Sequence, residues 1–142
     1  MSKSIKLHDN NYWDSSSVVY NKQPLSDILD IQTIPLRFNF DYVYETDLQY
    51  TCVKIGKLVI LNIHTIGFKQ EIPNYQEIIY GLPKPVEYKI LSLQGGNSAT
   101  GNSLRLAING NANIQTHWSP VALCGDSANY QYGGIFIYKS VE

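Results

Sequence analysis

The stretch that decides the fold is Gln49–Ile66, which reads QYTCVKIGKLVILNIHTI. Two apolar runs flank Gly56-Lys57, and a glycine at the first position of a two-residue loop suits a type II′ hairpin turn. Because the loop length fixes the register of the two strands, the turn predicts which side chains face each other. The predicted pairs are Ile55 with Leu58, Val53 with Ile60 and Thr51 with Asn62 on one face, and Cys52 with Leu61 and Tyr50 with Ile63 on the other.

Near the turn, both faces of this hairpin are apolar. A strand pair at the surface of a monomer has one side in water and alternates accordingly. We therefore expect the hairpin either to lie centrally in a sandwich or to be covered by another subunit.

Alternation with a period of two continues beyond the hairpin, and helical periodicity is nearly absent. Apolar residues alternate over 36–42, a strand is predicted over 87–93 with a polar loop over 95–102, and paired glycines predict a bulge within 130–138. The pattern predicts an all-β domain, an antiparallel β-sandwich or jelly-roll-like head of roughly eight strands over residues 31–142.

Residues 1–30 form a separate segment in this interpretation. The stretch 24–30 carries a proline in its first turn and three apolar residues on one helical face, which predicts at most one short helix. The remainder has too little apolar content for a core of its own. We expect it to serve as an N-terminal attachment or oligomerisation segment.

The Asn109-Gly110 turn has two possible registers. A two-residue loop would put amides on the apolar face, whereas a three-residue loop over 109–111 keeps that face consistent. The second register is predicted, with Ile108 opposite Ala112 and Leu106 opposite Ile114. It places Trp118 on the apolar side, in the core, with the alternative that a position at a strand end would let its indole N–H reach a cleft. The opposite face is neutral-polar with one cation. That face carries Ser103, Arg105, Asn113, Gln115 and His117.

Composition narrows the function of this 142-residue chain. Lys and Arg number 11 against 12 Asp and Glu, so a net charge of -1 provides no field for nucleic acid. The N-terminus lacks the apolar block of a signal peptide, and no stretch is apolar for the length of a membrane span, so we expect synthesis in the cytoplasm and no membrane insertion. Two cysteines are too few for a disulfide scaffold or a thiolate zinc site.

Catalytic motifs are not evident either. In Gly96-Asn97-Ser98-Ala99-Thr100 a threonine stands where a nucleophile elbow requires glycine. Histidines 8, 64 and 117 do not have metal-ligand spacing, and the pairs of acidic residues are no more than chance supplies. We expect no enzymatic activity, no metal and no cofactor.

A neutral polar ligand, above all a saccharide, fits the composition better. Aromatic residues make up 12% of the chain, with eleven tyrosines, while charged residues make up only 16%. Aromatic faces stack on sugar rings, and amides, hydroxyls or Arg bond sugar hydroxyls. The alternative for each residue is an ordinary solvated sheet face. The candidate saccharide-binding residues are Arg105, Asn113, Gln115, His117, Asp126, Tyr130 and Tyr132.

Two parts of the chain resemble a known group of proteins. Residues 5–29, IKLHDNNYWDSSSVVYNKQPLSDIL, look like the start of small tail-tip proteins of phages that infect Gram-positive bacteria. Residues 53–61 (VKIGKLVIL), 81–83 (GLP) and 106–110 (LAING), with the Tyr/Gly-rich last strand, are similar to the β-rich head domains of phage receptor-binding proteins.

The resemblance implies a homotrimer in the virion whose heads bind host cell-wall or surface polysaccharide. Its N-terminal part would join other tail or baseplate proteins. Coiled-coil heptads and collagen-like repeats, which trimerise many fibres, are absent from this sequence. The alternative functions are a structural baseplate or fibre connector without a ligand, and a glycan depolymerase or esterase.

Overall fold

The computed structural model describes residues 19–20, 23–24, 31–118 and 122–142. The chain divides by its internal contacts into two units, Met1–Ile31 and Gln32–Glu142. In the first, β1 (Val19–Tyr20) and β2 (Gln23–Pro24) form a short antiparallel pair. Pro24 lies in β2, and the rest of the short helix predicted over 24–30 falls outside the described residues.

Nine further strands form one antiparallel sheet. The strands are β3 (Ile31–Thr33), β4 (Arg37–Phe38), β5 (Gln49–Ile55), β6 (Leu58–Ile66), β7 (Glu77–Tyr80), β8 (Lys89–Asn97), β9 (Ser103–Ile108), β10 (Ile114–Thr116) and β11 (Tyr130–Lys139). Their order across the sheet is β3-β5-β6-β11-β8-β9-β10-β7-β4. No helix occurs within the described ranges, and so none there could cross a membrane.

The β5–β6 hairpin has the predicted register throughout, from Ile55 opposite Leu58 to Tyr50 opposite Ile63. Gly56 has a φ of +58°, while Lys57 is not among the residues with positive φ. Positive φ at the first loop position alone is the pattern of a type II′ turn, whose twist matches that of the strands.

The sheet curls until its two ends meet. β4 is the last strand in the order and β5 the second, yet the rings of Phe38 and Tyr50 lie 5.0 Å apart. The Tyr50 hydroxyl also accepts a hydrogen bond of 2.9 Å from the backbone N–H of Leu36. The concave side therefore encloses the core. Its largest fully buried side chains are Tyr132, Phe68, Leu61, Ile63, Ile66, Ile78, Ile79, Leu93, Leu104, Leu106 and Ile108.

The all-β prediction is confirmed, and the architecture is a single curled sheet that encloses its core as a sandwich does. The last strand is also confirmed, with a register shift between Tyr132 and Gly134 at the paired glycines. Strand 36–42 is shorter than predicted. Asn39 ends it, because its side-chain oxygen accepts the N–H of Asp41 and its carbonyl accepts the N–H groups of Tyr42 and Val43.

The β9–β10 hairpin differs from the prediction by two residues. Ile108 pairs with Ile114 and Leu106 with Thr116, so the loop is Gly110-Asn111-Ala112. The cause is Asn109, whose side-chain oxygen accepts the backbone N–H groups of Asn111 and Asn113 and thereby closes the loop one residue later. An even shift preserves the faces, so the apolar side predicted for β9 is the buried one.

Candidate functional site

Arg105 and His117 lie side by side on neighbouring strands. Arg105 is an exposed residue of β9, and its carbonyl oxygen accepts a hydrogen bond of 3.1 Å from the backbone N–H of His117, which follows β10. The shifted register brings these two together, whereas the sequence predicted Arg105 opposite Gln115. Gln115 instead faces Ala107.

The sequence predicted His117 on an open, polar face of the sheet. The structure buries its side chain instead. Only 7% of it is exposed, because three aromatic rings surround it. The ring centroids of Tyr75, Tyr88 and Trp118 each lie 6.0 Å from that of His117, at interplanar angles of 82°, 58° and 79°. We call these four residues the aromatic cluster.

The three rings that cover His117 are themselves open to solvent. Tyr75 is 51% exposed, Tyr88 57% and Trp118 63%. Among the residues of known placement in 31–118 and 122–142, only one other aromatic side chain is exposed, Phe40 at 41%. Three of the four exposed rings in these ranges thus lie in one place, where a ligand could reach them.

Backbone strain accompanies this arrangement. Tyr75 has a φ of +61° and Trp118 one of +58°, values that cost an aromatic residue roughly 1 kcal/mol or more. At Trp118 the left-handed conformation ends the alternation of β10 and turns the indole outward, which is why its predicted place in the core is wrong. Tyr75 is held by a hydrogen bond of 3.2 Å from its N–H to the carbonyl oxygen of Thr116.

The His117 side chain also has an unused polar atom. Nδ1 is buried and has no hydrogen-bond partner. A buried nitrogen without a partner costs about 1–3 kcal/mol, and a ligand group that donates a hydrogen bond to it would recover part of that cost.

A shallow groove adjoins the aromatic cluster at Tyr88. Its volume of about 140 Å³ is well below the roughly 300–1,000 Å³ of pockets that enclose a small molecule. It can therefore contact one edge of a larger ligand but cannot enclose it. The groove is lined by Lys84, Pro85, Val86, Glu87, Tyr88, Ile108, Asn109 and Gly110.

Asn113 and Gln115 belong to a hydrogen-bond network within the protein. The Asn109 amide donates to the carboxylate of Glu77 and, at 2.9 Å, to the side-chain oxygen of Gln115. Asn113 donates to the same Glu77 oxygen at 3.2 Å. Their first role is to fix the β9–β10 loop beside β7, and only Asn109 of this network also reaches the groove.

Asp126 and Tyr130 lie elsewhere. Tyr130 pairs with Asn97, five residues along β8 from Ser92, which itself faces Arg105. Five residues of strand span roughly 17 Å, so these two do not share a site with His117. Asp126 closes a turn, and the hydrogen bond from the Asn129 side chain lowers the pKa of its exposed carboxyl.

Tyr132 is a core residue rather than a ligand-binding one. Only 1% of it is exposed, and it packs against Phe68 with ring centroids 5.4 Å apart. Its hydroxyl donates to the side-chain oxygen of Asn102 and accepts the N–H of Leu123 at 2.8 Å. The period-two pattern of the last strand could have placed it inward, because Phe136 and Tyr138, at the same parity, are buried as well.

Sequence reasoning did not select Tyr75, Tyr88 or Trp118. Tyr75 follows Pro73 and lies outside every predicted strand, and Tyr88 directly precedes β8. The usable signal was residue type at Tyr75, since an aromatic side chain outside the predicted strands has no strand face on which to be buried.

In the described parts of the chain, no three His, Cys, Asp or Glu side chains are grouped to hold a metal ion. Comparison with known proteins adds no relationship, since no protein-family profile and no curated protein matches the chain.

Proposed function

We propose that this protein binds a neutral saccharide through the aromatic cluster, without catalysis, as the receptor-binding head of a phage tail. One observation carries the saccharide assignment. Three of the four exposed aromatic side chains of residues 31–118 and 122–142 surround one buried histidine.

The chemistry of the cluster suits a sugar polymer. Exposed tyrosine and tryptophan rings stack on the apolar face of a pyranose, and the tyrosine hydroxyls and indole N–H bond its hydroxyl groups. The groove beside Tyr88 adds the Asn109 amide and carries one charge of each sign, from Lys84 and Glu87. An open site of this kind contacts one or two sugar units of a polysaccharide from the side.

The biological role rests on the resemblance of residues 5–29 and of the later strands to tail-tip and head proteins. A shallow site gives weak single contacts, and several heads on one particle convert these into durable attachment by raising the effective concentration. A site without deep enclosure is therefore sufficient for adsorption.

The test is a glycan array followed by calorimetry on the neutral glycan that binds best. Trp118→Ala and Tyr88→Ala should each weaken binding roughly tenfold, since an aromatic contact is worth about 0.5–1.5 kcal/mol beyond its buried area. Because both side chains are more than half exposed, the melting temperature should change little.

Phe40→Ala is the matched control, because Phe40 is also an exposed ring but lies outside the aromatic cluster. It should bind as the wild type does. If Trp118→Ala, Tyr88→Ala and Phe40→Ala bound with equal affinity, the aromatic cluster would not be the binding site. If the wild type bound no neutral glycan, the saccharide assignment would be rejected. Release of reducing ends or acetate from the bound glycan would identify an enzyme instead.

A structural connector of the baseplate or fibre is the second candidate. The exposed aliphatic side chains of Leu58, Ile135 and Ile137 favour it, because they suit a protein contact. The two roles differ in one experiment. Free protein should block adsorption of the phage to its host if the protein binds the receptor, whereas a connector should not compete.

A further inference from the structure

Asn109 and Gly110 are the one Asn-Gly pair in the sequence, and they begin the connection between β9 and β10. Asparagine is a chemically labile residue, because the backbone nitrogen of the residue that follows it can attack its side-chain amide. Glycine hinders that attack least, since it has no side chain to crowd the nitrogen. The turn therefore places a reactive amide beside a nucleophile.

The reaction releases ammonia and leaves an acid. The nitrogen of Gly110 bonds to Cγ of Asn109 while the bond from Cγ to Nδ2 breaks, and the proton of the Gly110 N–H leaves with the amine as ammonia. Water then opens the five-membered imide at one of its two carbonyls. The product is aspartate, or isoaspartate, in which the backbone runs through the former side chain. Water is the only co-reactant, so the chain itself supplies every other group.

The nucleophile is accessible in the folded protein. Gly110 is exposed, and no hydrogen bond of the described residues uses its N–H as the donor. A Cβ built at Gly110 would meet no atom within 4 Å beyond its chain neighbours, so nothing packs against this part of the backbone. Whatever limits the reaction in the folded protein must therefore act on Asn109.

The side chain of Asn109 makes all four hydrogen bonds that a carboxamide offers through its two N–H groups and two lone pairs. Oδ1 accepts the backbone N–H groups of Asn111 at 2.9 Å and Asn113 at 3.1 Å. Nδ2 donates to the carboxylate of Glu77 and, at 2.9 Å, to the side-chain oxygen of Gln115. Cγ turns toward the attacking nitrogen, and the amine leaves, only when these bonds break.

We propose that Asn109 is a site of spontaneous deamidation whose rate is controlled by its hydrogen bonds to Glu77 and Gln115. The closed loop suppresses the reaction, and each local opening of the loop exposes Asn109 to it. Once the amine has left, the loop no longer closes as before. A carboxylate then faces that of Glu77 where an N–H donor stood, and two like charges disfavour each other at this distance.

Deamidation would also change the groove beside Tyr88. Asn109 and Gly110 both line it, so the groove would gain a negative charge and, in isoaspartate, a longer backbone. The inference goes beyond the proposed function and does not depend on it, because the modification is measured without any ligand.

The test is the rate of deamidation at Asn109 in the full chain, measured by peptide mass spectrometry during incubation at mildly alkaline pH. In denaturant, Asn109 should be the first asparagine modified, and in the folded protein it should react at least about tenfold more slowly. Gln115→Ala should raise the rate in the folded protein by about threefold or more. Glu77→Ala should raise it by about tenfold or more, because a hydrogen bond to a carboxylate is stronger.

Two controls separate the local effect from a general loss of structure. Asn102, which precedes Ser103 and lies outside this network, should keep its wild-type rate in both variants. Gly110→Ala should fold as the wild type does, since Gly110 has no positive φ and has room for a Cβ. It should slow the modification of Asn109 in denaturant, because the added methyl group crowds the nucleophile.

Two results would overturn the control of the rate by the hydrogen bonds. One is a folded wild type that reacts at Asn109 as fast as the denatured chain does. The other is folded Glu77→Ala and Gln115→Ala variants that react at the wild-type rate. If other asparagines were modified before Asn109 in denaturant, the assignment of the site itself would be rejected.

Discussion

At the scale of single residues, the candidate site depends on three rings that the fold leaves outside. His117, the one predicted ligand residue at their centre, was selected from its place on a polar strand face. Its burial by Tyr75, Tyr88 and Trp118 depends on left-handed backbone at two of these residues, and no pattern of apolar and polar residues encodes that conformation.

The two thiols give a prediction that is independent of any ligand. Burial raises the pKa of Cys52 from 9.0 to about 11, and burial also raises the pKa of Cys124, with Glu71 adding to the effect. Cys52 is buried and Cys124 is half-buried. A thiol reagent at pH 8 should therefore modify Cys124 first, and Cys52 should react only on unfolding.

The same burial makes stability depend on pH in the alkaline range. The folded state favours the protonated thiol of Cys52, so its contribution is complete below pH 9 and is lost as the pH rises toward 11. The loss should be about 2 kcal/mol, since one pKa unit corresponds to roughly 1.4 kcal/mol. Denaturant titrations at pH 8 and pH 11 check this, and Cys52→Ala should show a correspondingly smaller decrease. An equal decrease in both proteins would contradict it.

At the scale of secondary-structure elements, the two hairpins show what sequence can and cannot specify. The β5–β6 register was predictable because a two-residue turn with glycine leaves only one pairing. The β9–β10 register was not, because Asn109 binds two backbone N–H groups of the loop through its side chain. Side-chain capping of this kind shifts the loop along the chain without changing the apolar pattern.

Strand β8 shows a second limit. Gly95-Gly96 predicted the start of a polar loop, yet the strand continues to Asn97. The reason is a close approach that only glycine permits. A Cβ at Gly95 would lie 2.1 Å from the backbone oxygen of Ala99, whereas a Cβ at Gly96 would meet nothing closer than 4.0 Å.

These neighbouring glycines form a matched pair of substitutions. Gly95→Ala should lower the free energy of unfolding by about 1–3 kcal/mol, because the backbone at Ala99 must move. Gly96→Ala should change it by less than about 0.5 kcal/mol. Chemical denaturation measures both values. Similar effects at the two positions would show that the approach of Ala99 does not restrict this part of β8.

At the scale of the whole molecule, strand content and the polarity of faces could be predicted, but the closure of the sheet could not. Contact between Phe38 and Tyr50 joins strands from opposite ends of the sheet order, and nothing local specifies it. Strand β7 was also missed, because prolines at 73, 83 and 85 surround it. The aromatic cluster depends on the second of these features, since Tyr75 precedes β7.

The low charge of the chain also has a consequence for binding. A site of rings and amides in a protein of net charge -1 would bind a neutral ligand without releasing counterions. Affinity for a neutral saccharide should therefore change less than about twofold when salt rises from about 50 to about 500 mM. Binding to a polyanion would weaken by orders of magnitude over the same range.

The most direct measurement is a calorimetric titration of wild-type protein and Trp118→Ala with the best neutral glycan at those two salt concentrations. We expect salt-independent binding by the wild type and roughly tenfold weaker binding by the variant. Affinity that collapses with salt, or a variant that binds as tightly as the wild type, would contradict recognition of a neutral saccharide by the exposed rings around His117.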